Sequence, residues 1–171
     1  ETVALINVGA TVMNINVISD GVTSFTRDIT MGSMSLTQEI QKQLGVSFEE
    51  AEHYKTGGDG ELSNSSLLQE VSQMAERVSE SLVTEIQRSI DFFAATSVNA
   101  DISKVYLTGG GSQMVTLVNS LERRLEVPVQ VVNPFKGIAV DEKKFDVKWL
   151  NKMAPTAAVA VGLSLRRRND T

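Results

Sequence analysis

The sequence predicts an α/β fold in which a mixed sheet carries a helical subdomain, and three stretches of the chain support this. Short apolar segments separated by turn residues open the chain and are typical of strands. A long amphipathic segment follows and is typical of a helix. Residues 104–134 then run as strand, glycine turn, helix and strand, KVYLTGGGSQMVTLVNSLERRLEVPVQVVNP. We therefore expect one mixed sheet, with helices 112–126 and 156–166 lying against it.

The N-terminal region is expected to form three antiparallel strands. They are predicted at Thr2 to Gly9, Val12 to Ser19 and Val22 to Ile29. Asp20-Gly21 is a two-residue hairpin signal between the second strand and the third. Asn7 closes the first apolar run, so its amide would lie at a strand end beside the backbone N–H groups of the following turn. A polar strand end is equally ordinary in proteins without a ligand.

Residues 32–96 are expected to be helical. A short helix is predicted at Leu36 to Leu44, and a second one begins at Ser47 with the spacing of a capping box. Glu52 and Lys55 lie three residues apart on that second helix, and a solvated ion pair is the ordinary explanation for them. The longest helix is predicted from about Leu62 to Ala95. Core packing accounts for its apolar stripe.

The glycine turn at the end of the strand 104–108 is a candidate ligand site. Gly109, Gly110 and Gly111 remove every Cβ there, and the following helix would aim its positive dipole end at the same place. A nucleotide is the ligand that this pattern favours, and a tight turn without a ligand explains it equally well. The dinucleotide pattern G-x-G-x-x-G fails because residue 114 is Met114, and no P-loop occurs in the chain.

The region after the strand 129–132 is expected to be irregular before it ends in a helix. Residues 141–152 are charged and show no clear period. Pro155 is expected to start a final helix, Thr156 to Leu165, whose small residues would permit close packing. The arginines that follow suit the negative end of that helix.

Composition excludes several classes of function. The 171 residues contain no cysteine, which excludes disulfides and thiolate metal sites. The single histidine leaves little for a zinc centre or a serine-type triad. There are 16 basic and 21 acidic side chains, so nucleic-acid binding is disfavoured. No apolar run approaches membrane-spanning length, so no membrane insertion is expected. The chain enters a strand without an initiator methionine, and we expect it to be a fragment of a larger protein.

Several segments carry a resemblance to a known family over nearly the whole chain. They are, in order, INVGATVMNINVISDG, FTRDITMG, SFEEAEHYK, the VYLTGGG stretch through VVNPF, and APTAAVAVGLSLR. The pattern looks like the second half of the actin-like ATPase fold, which is ribonuclease-H-like. Within that superfamily the chain resembles the type IV pilus assembly protein PilM family, whose members are related to FtsA.

The resemblance implies that two lobes close on ATP with Mg²⁺ and that each lobe supplies a hairpin around the phosphates. The hairpin of this lobe usually reads D-I-G-x-x-x-T, and here Asn7 and Met13 replace the aspartate and the threonine. The backbone N–H groups of Gly9, Ala10 and Thr11 would hold the phosphates. A neutral amide cannot serve as a carboxylate base, so little or no hydrolysis is expected and no catalytic or metal residue is assigned. Whether the protein is an enzyme stays open.

The remaining site residues are also implied by the resemblance. Glu52 and Lys55 would reach the ribose and base, the glycines 109–111 would lie under the adenosine, and Met114 would close on the base. Asp20 and Asp28 are expected at the wrong ends of their strands for catalysis. The implied organisation is a sheet-containing core at residues 1–31 and 97–171, with residues 32–96 as an inserted helical subdomain.

The implied function is that of a cytoplasmic scaffold for type IV pilus assembly, and hence for twitching motility, peripheral to the inner membrane. Its expected partners are the cytoplasmic tail of a PilN-like inner-membrane protein, bound mainly by the other lobe, and pilus motor and platform proteins. Self-association into a homo-oligomer is an alternative. A structural domain without nucleotide, or an active ATPase or small-molecule kinase of the same superfamily, are the alternative functions.

Overall fold

The computed structural model describes residues 1–57, 65–98 and 101–166 and shows a mixed sheet flanked by helices. The five strands are β1 (Thr2–Val8), β2 (Met13–Ser19), β3 (Val22–Ile29), β4 (Lys104–Thr108) and β5 (Val129–Val131). The helices are α1 (Met34–Leu44), α2 (Phe48–Lys55), α3 (Ser65–Thr96), α4 (Val115–Leu125), α5 (Val147–Met153) and α6 (Ala158–Leu165). The predicted start of the long helix at Leu62 lies outside the described residues.

The sheet has the strand order β3-β2-β1-β4-β5. The first three strands pair antiparallel, and β4 and β5 are parallel to β1. Asp20 and Gly21 both adopt positive φ angles, 50° and 80°, which close the predicted hairpin between β2 and β3. The three N-terminal strands and the mixed sheet are therefore confirmed.

One face of the sheet forms the main core because apolar side chains alternate along the central strands. Ile6 and Val8 of β1, with Met13 and Ile15 of β2, are buried on this face. Helices α3 and α4 cover it with the fully buried side chains Leu82, Val83, Ile86, Leu117 and Leu121. The opposite face carries polar side chains near the ends of these strands, among them Asn7 and Asn14.

Helices α1 and α2 pack on the first half of α3 around a second, smaller cluster. Its buried members are Leu36, Ile40, Ala51 and Met74. The later part of α3 packs on the sheet, so α3 contributes to both clusters. The division of the chain into a core and an inserted subdomain at residues 32–96 stays a prediction.

The helix expected at 112–126 begins later than predicted. Residues Gly110–Gln113 form a 3-10 turn, Met114 is extended, and α4 starts at Val115. The turn closes because the N–H and the hydroxyl of Ser112 both donate to the carbonyl of Gly109, at 3.1 and 2.7 Å. The dipole of α4 consequently starts one short turn away from the glycines.

The C-terminal region also differs from the expectation. The segment predicted as irregular contains α5, because the Asp146 side chain caps it by accepting from the N–H groups of Lys148 and Trp149. Helix α6 follows a 3-10 turn at Ala154–Ala157 and does not lie against the sheet. Its Val159 and Leu163 side chains are 60% and 61% exposed. The 3-10 turn makes the contact with the sheet end instead, since Gly109 N–H donates to the Pro155 carbonyl at 2.8 Å.

Candidate functional site

A cavity of about 380 Å³ lies where β1 and β4 end, between the sheet and the helices α1 and α2. Ligands of open α/β sheets bind at this position, beyond the carboxyl ends of the strands. The structure brings together four of the sequence-predicted site residues here, Ala10, Glu52, Lys55 and Gly110. Five further residues that the sequence did not indicate line the same space: Ser33, Met34, Phe48, Thr56 and Gln113.

The turn after β1 is fastened to the start of α1. The carbonyls of Gly9 and Ala10 accept hydrogen bonds from the N–H groups of Ser33 and Met34, at 2.9 and 2.8 Å. This contact requires Gly32, since a Cβ there would lie 2.4 Å from the Ala10 carbonyl oxygen. No sequence pattern indicates this contact, because it joins residues more than twenty positions apart. The turn is thereby held in one conformation.

That conformation changes what the turn can offer to an anion. The Gly9 N–H donates to the Val12 carbonyl at 3.0 Å, so it does not point to a ligand. Ala10 and Thr11 form the exposed tip of the turn. Ala10 lines both the main cavity and a neighbouring one of about 200 Å³, and Thr11 lines the smaller one. Of the three predicted donors, Ala10 and Thr11 are the two that line a cavity, and their role as phosphate donors stays a prediction.

The three glycines after β4 have different surroundings. A Cβ at Gly109 or at Gly111 would lie 2.4 Å from an atom of Val8, so β1 itself requires both of these glycines. A Cβ at Gly110 would meet only the Thr156 side chain, at 3.9 Å. Packing therefore explains two of the glycines, and Gly110 is the one of the three that lines the cavity.

Glu52 and Lys55 form a shielded cluster with Thr37. Lys55 Nζ donates to Glu52 Oε1 at 3.0 Å and to Thr37 Oγ1 at 3.1 Å, and the Thr37 hydroxyl donates to Glu52. Thr37 is buried, and the Lys55 side chain is only 14% exposed, so this pair is not the solvated surface pair that the spacing alone suggests. Burial raises the pKa of Glu52, but the hydrogen bonds from Thr37 and Lys55 outweigh it and hold that pKa below its ordinary value.

The side chain that lines the cavity as a candidate for contact with a base is Phe48, not the predicted Met114. Met114 packs against both hydrophobic clusters and does not line the cavity. Phe48, the first residue of α2, lines the cavity and is 43% exposed. An aromatic ring at the rim of a pocket offers a flat face for stacking. The place of Phe48 at the start of a charged helix did not indicate this role in the sequence.

Asn7 belongs to a row of polar side chains across four strands. Thr108 Oγ1 donates to Asn7 Oδ1 at 3.2 Å, Asn7 Nδ2 donates to Asn14 Oδ1 at 3.1 Å, and Asn14 Nδ2 donates to Asp28 Oδ1 at 2.8 Å. We call these four residues the amide ladder. Asn7 does not line the cavity, but it lies three residues before Ala10, which does.

The ladder corrects one expectation from the sequence. Asp28 was expected at the wrong end of its strand, yet it lies at the same end of the sheet as Asn7, because β3 runs in the same direction as β1 after two antiparallel hairpins. Asp20 lies at the opposite end as expected, where it accepts from the N-terminal ammonium group at 2.8 Å. The row that contains Asn7 therefore ends in a carboxylate, outside the lining of the cavity.

The described residues do not build a magnesium site by themselves. No group of three or more His, Cys, Asp or Glu side chains within them is arranged to hold a metal ion. Mg²⁺ prefers carboxylates and keeps several waters. Glu52, the one carboxylate that lines the cavity among the residues that the structure describes, is already paired with Lys55.

Comparisons with known proteins agree on the fold. A family model described as type IV pilus assembly protein PilM matches residues 1–168. The solved PilM-PilN type IV pilus biogenesis complex contains a chain that is similar to this one, with 26% sequence identity and a TM-score of 0.82. The similarity covers 97% of this chain and 46% of that chain.

Two further solved structures are similar at lower identity. The ethanolamine utilization protein EutJ from Carboxydothermus hydrogenoformans shares 20% identity with a TM-score of 0.65, over 95% of this chain and 48% of that chain. MreB 5 of Spiroplasma citri bound to AMPPNP shares 12% identity with a TM-score of 0.63, over 96% of this chain and 52% of that chain. These two show the fold alone, and it is the α/β actin-like fold. The chain spans about half the length of the proteins that it matches.

Proposed function

Since this chain belongs to the PilM family of type IV pilus assembly proteins, we propose that it forms one nucleotide-binding lobe of a pilus-assembly scaffold. ATP would lie between this lobe and a second one, and it would be hydrolysed slowly or not at all. The observation that carries the proposal is the cavity at the ends of β1 and β4, in which Ala10, Glu52, Lys55 and Gly110 meet. MreB 5, which has a similar fold, was solved with AMPPNP.

Each lining residue has a role that fits one part of ATP. The N–H groups of Ala10 and Thr11 would donate to phosphate oxygens at the exposed tip of the turn. Glu52 can accept hydrogen bonds from the ribose hydroxyls, and Lys55, fixed by Thr37, keeps that carboxylate ionised. The backbone of Gly110 would lie under the nucleoside, and the Phe48 ring would stack on the base in place of Met114.

The proposal of slow hydrolysis rests on Asn7. Catalysis of phosphoryl transfer consists mainly of positioning a water and stabilising charge at the γ-phosphate. An amide can hydrogen-bond that water but cannot remove its proton. Because the described residues provide no magnesium site of their own, we expect Mg²⁺ to be held by the phosphates, by water and by residues beyond the described ones. The lobe would then act as an ATP-dependent clamp.

The partner proposal follows from the family and from the PilM-PilN complex. We expect the intact protein to bind the cytoplasmic tail of a PilN-like protein and so to act at the inner membrane, in contact with pilus motor and platform proteins. This chain matches 46% of its counterpart in that complex, and we expect the groove for the tail mainly outside this chain. Among the described residues, no helix combines the length and apolarity needed to cross a bilayer.

The nucleotide proposal is tested with Gly110→Ala in the intact protein. A Cβ at Gly110 has room in the fold, so the thermal midpoint should stay within about 2 °C of the parent. Gly110 lines the cavity, so an added methyl group should crowd a nucleoside that lies on its backbone. The Kd for ATP, measured by isothermal titration calorimetry, should rise about tenfold or more, which is about 1.4 kcal/mol.

Gly162→Ala is the matched control, since its Cβ would also meet open space but lies on α6, away from the cavity. It should leave the Kd unchanged. Nucleotide released from the purified protein on denaturation gives a second readout. If no nucleotide is released and calorimetry shows no binding by the parent, the chain belongs to a structural interaction domain that does not use nucleotide.

A further inference from the structure

The amide ladder is one continuous row because the register aligns its members. Asn7 pairs with Asn14 across β1 and β2, Asn14 pairs with Asp28 across β2 and β3, and Asn7 pairs with Thr108 across β1 and β4. The residues next to them in sequence on β1 and β2, among them Ile6 and Val8, are buried in the core, so the ladder lies on the opposite face of the sheet. Thr108 on β4 and Asp28 on β3 are the two ends of the row, three strand spacings apart, with β1 and β2 between them.

The direction of every hydrogen bond in the row is set by Asp28. An ionised carboxylate only accepts, so Asn14 must turn its NH₂ group to Asp28 and its oxygen to Asn7. Asn7 must then turn its NH₂ group to Asn14, which leaves its own oxygen facing β4. There Oδ1 accepts from Thr108, and a Cβ at Gly109 would lie only 2.8 Å from it. Reversing the Asn7 amide would break the order of the whole row.

We propose that Asp28 is a positioning residue that fixes the Asn7 carboxamide with its oxygen toward the glycine turn, and that the ladder accepts a single carboxylate. An aspartate at position 7 would need the NH₂ group of Asn14. The Asn14 oxygen would then face the carboxylate of Asp28, and both would be acceptors. An amide at position 7 is therefore the group that matches a carboxylate at position 28. The importance of this arrangement for ATP rests on the proposed function, whereas the coupling between positions 7 and 28 does not.

The coupling predicts that the two substitutions compensate each other. In the intact protein, Asn7→Asp alone should lower the thermal midpoint by about 2 to 6 °C, because it leaves an acceptor facing an acceptor. Asp28→Asn alone should change it little, since the new amide can still accept from Asn14. The double variant Asn7→Asp/Asp28→Asn should recover most of the loss, because the carboxylate has only moved along the row.

The matched control is Asn7→Asp combined with Asp101→Asn. It has the same net charge as the double variant, but Asp101 is an exposed residue before β4, outside the ladder. This control should be as destabilised as Asn7→Asp alone. Equal recovery in the control and in the swapped form would reduce the effect to net charge and overturn the proposal, as would an Asn7→Asp form as stable as the parent.

Nuclear magnetic resonance can test the orientation of the Asn7 carboxamide separately from the stability of the protein. Without nucleotide, the side-chain amide resonances of Asn7 and Asn14 should shift or broaden in Asp28→Asn, because both amide orientations become accessible to the row. They should stay unchanged in Asp101→Asn. Unchanged Asn7 resonances in Asp28→Asn would show that Asp28 does not set the orientation.

Steady-state phosphate release then tests the link to ATP. If position 7 limits hydrolysis, the swapped form should release phosphate faster than the parent, and faster than Asn7→Asp, in which the carboxylate is held in a mismatched row. Compensation in stability together with a complete absence of ATP binding in every form would overturn the proposed function and leave the ladder established. ATP binding without compensation in stability would keep the proposed function and overturn the proposal on the ladder.

Discussion

Two polar groups lie near the cavity, the Thr37–Glu52–Lys55 cluster and the amide ladder, and they differ in charge and in exposure. The cluster places a full ion pair in a shielded position, with Thr37 buried and Lys55 14% exposed, and its charges satisfy one another. The ladder places neutral amides between a hydroxyl and one exposed carboxylate at the sheet end. An ion pair therefore holds the side chains on the helical side of the cavity in place. At the strand ends, hydrogen bonds that all run in one direction hold the side chains in place.

The largest expected loss of stability is at the strand ends, from a substitution in the glycine turn beside the ladder. Gly109→Ala should destabilise the protein by about 3 kcal/mol or more, because φ is +84° and the new Cβ would meet the Val8 carbonyl and the Asn7 oxygen. Urea unfolding followed by circular dichroism measures this.

Gly110→Ala is the control for this comparison and should stay within about 0.5 kcal/mol of the parent. If the two variants were equally stable, the tight contact between the glycine turn and β1 would not hold the ladder in place.

A smaller effect is expected on the helical side from Thr37→Val. The change keeps the shape of the buried side chain but removes the hydroxyl that bridges Glu52 and Lys55. We expect a loss of about 1 to 2 kcal/mol in the free energy of unfolding, measured by urea titration. Thr26→Val on the exposed strand β3 serves as the control and should be nearly neutral. A neutral Thr37→Val would mean that the ion pair does not depend on the buried hydroxyl.

The smallest effect is a pH dependence that separates the two groups. The pKa of Glu52 lies below its ordinary value of 4.5, because the hydrogen bonds from Thr37 and Lys55 outweigh the opposing effect of burial. The folded protein thus binds this proton more weakly than the unfolded chain. The stabilisation is present above the unfolded pKa and is lost as the pH falls through the folded one.

Thermal midpoints of the parent and of Glu52→Gln, taken from about pH 7 down to about pH 3, should therefore converge at the acidic end. The comparison between parent and variant cancels the other carboxylates that titrate in the same range. A constant gap between the two proteins would show that ionised Glu52 contributes nothing specific to the fold.

The sequence indicated the local features of both regions and missed the contacts that join distant residues. The hairpin at Asp20-Gly21, the capping box at Ser47 and the pairing of Glu52 with Lys55 each depend on residues at most three apart, and each was confirmed. The ladder depends on a register that aligns positions 7, 14, 28 and 108, and no spacing rule reveals that alignment.

The two errors in the second half of the chain have different causes. Packing against Val8 and the hydrogen bonds back to Gly109 delayed the start of α4, and neither is visible in the helical period of the sequence. The capping residue Asp146 was a usable signal for α5, but the charged residues around it obscured the period. Strong local patterns thus predicted the elements, and long-range packing decided their ends.

The central position of β1 has a consequence for the order of folding. Its partner β2 follows after a short turn, but its other partner β4 comes about a hundred residues later, as in the pairing of Asn7 with Thr108. Closing such a long loop costs about 4 kcal/mol of chain entropy before any contact repays it, so the hairpins of β1 to β3 should form in an early kinetic phase. The carboxamide of Asn7 would meet Asn14 in that phase and Thr108 only when the chain closes. The edge proposed for the phosphates would therefore be completed in the last slow step of folding.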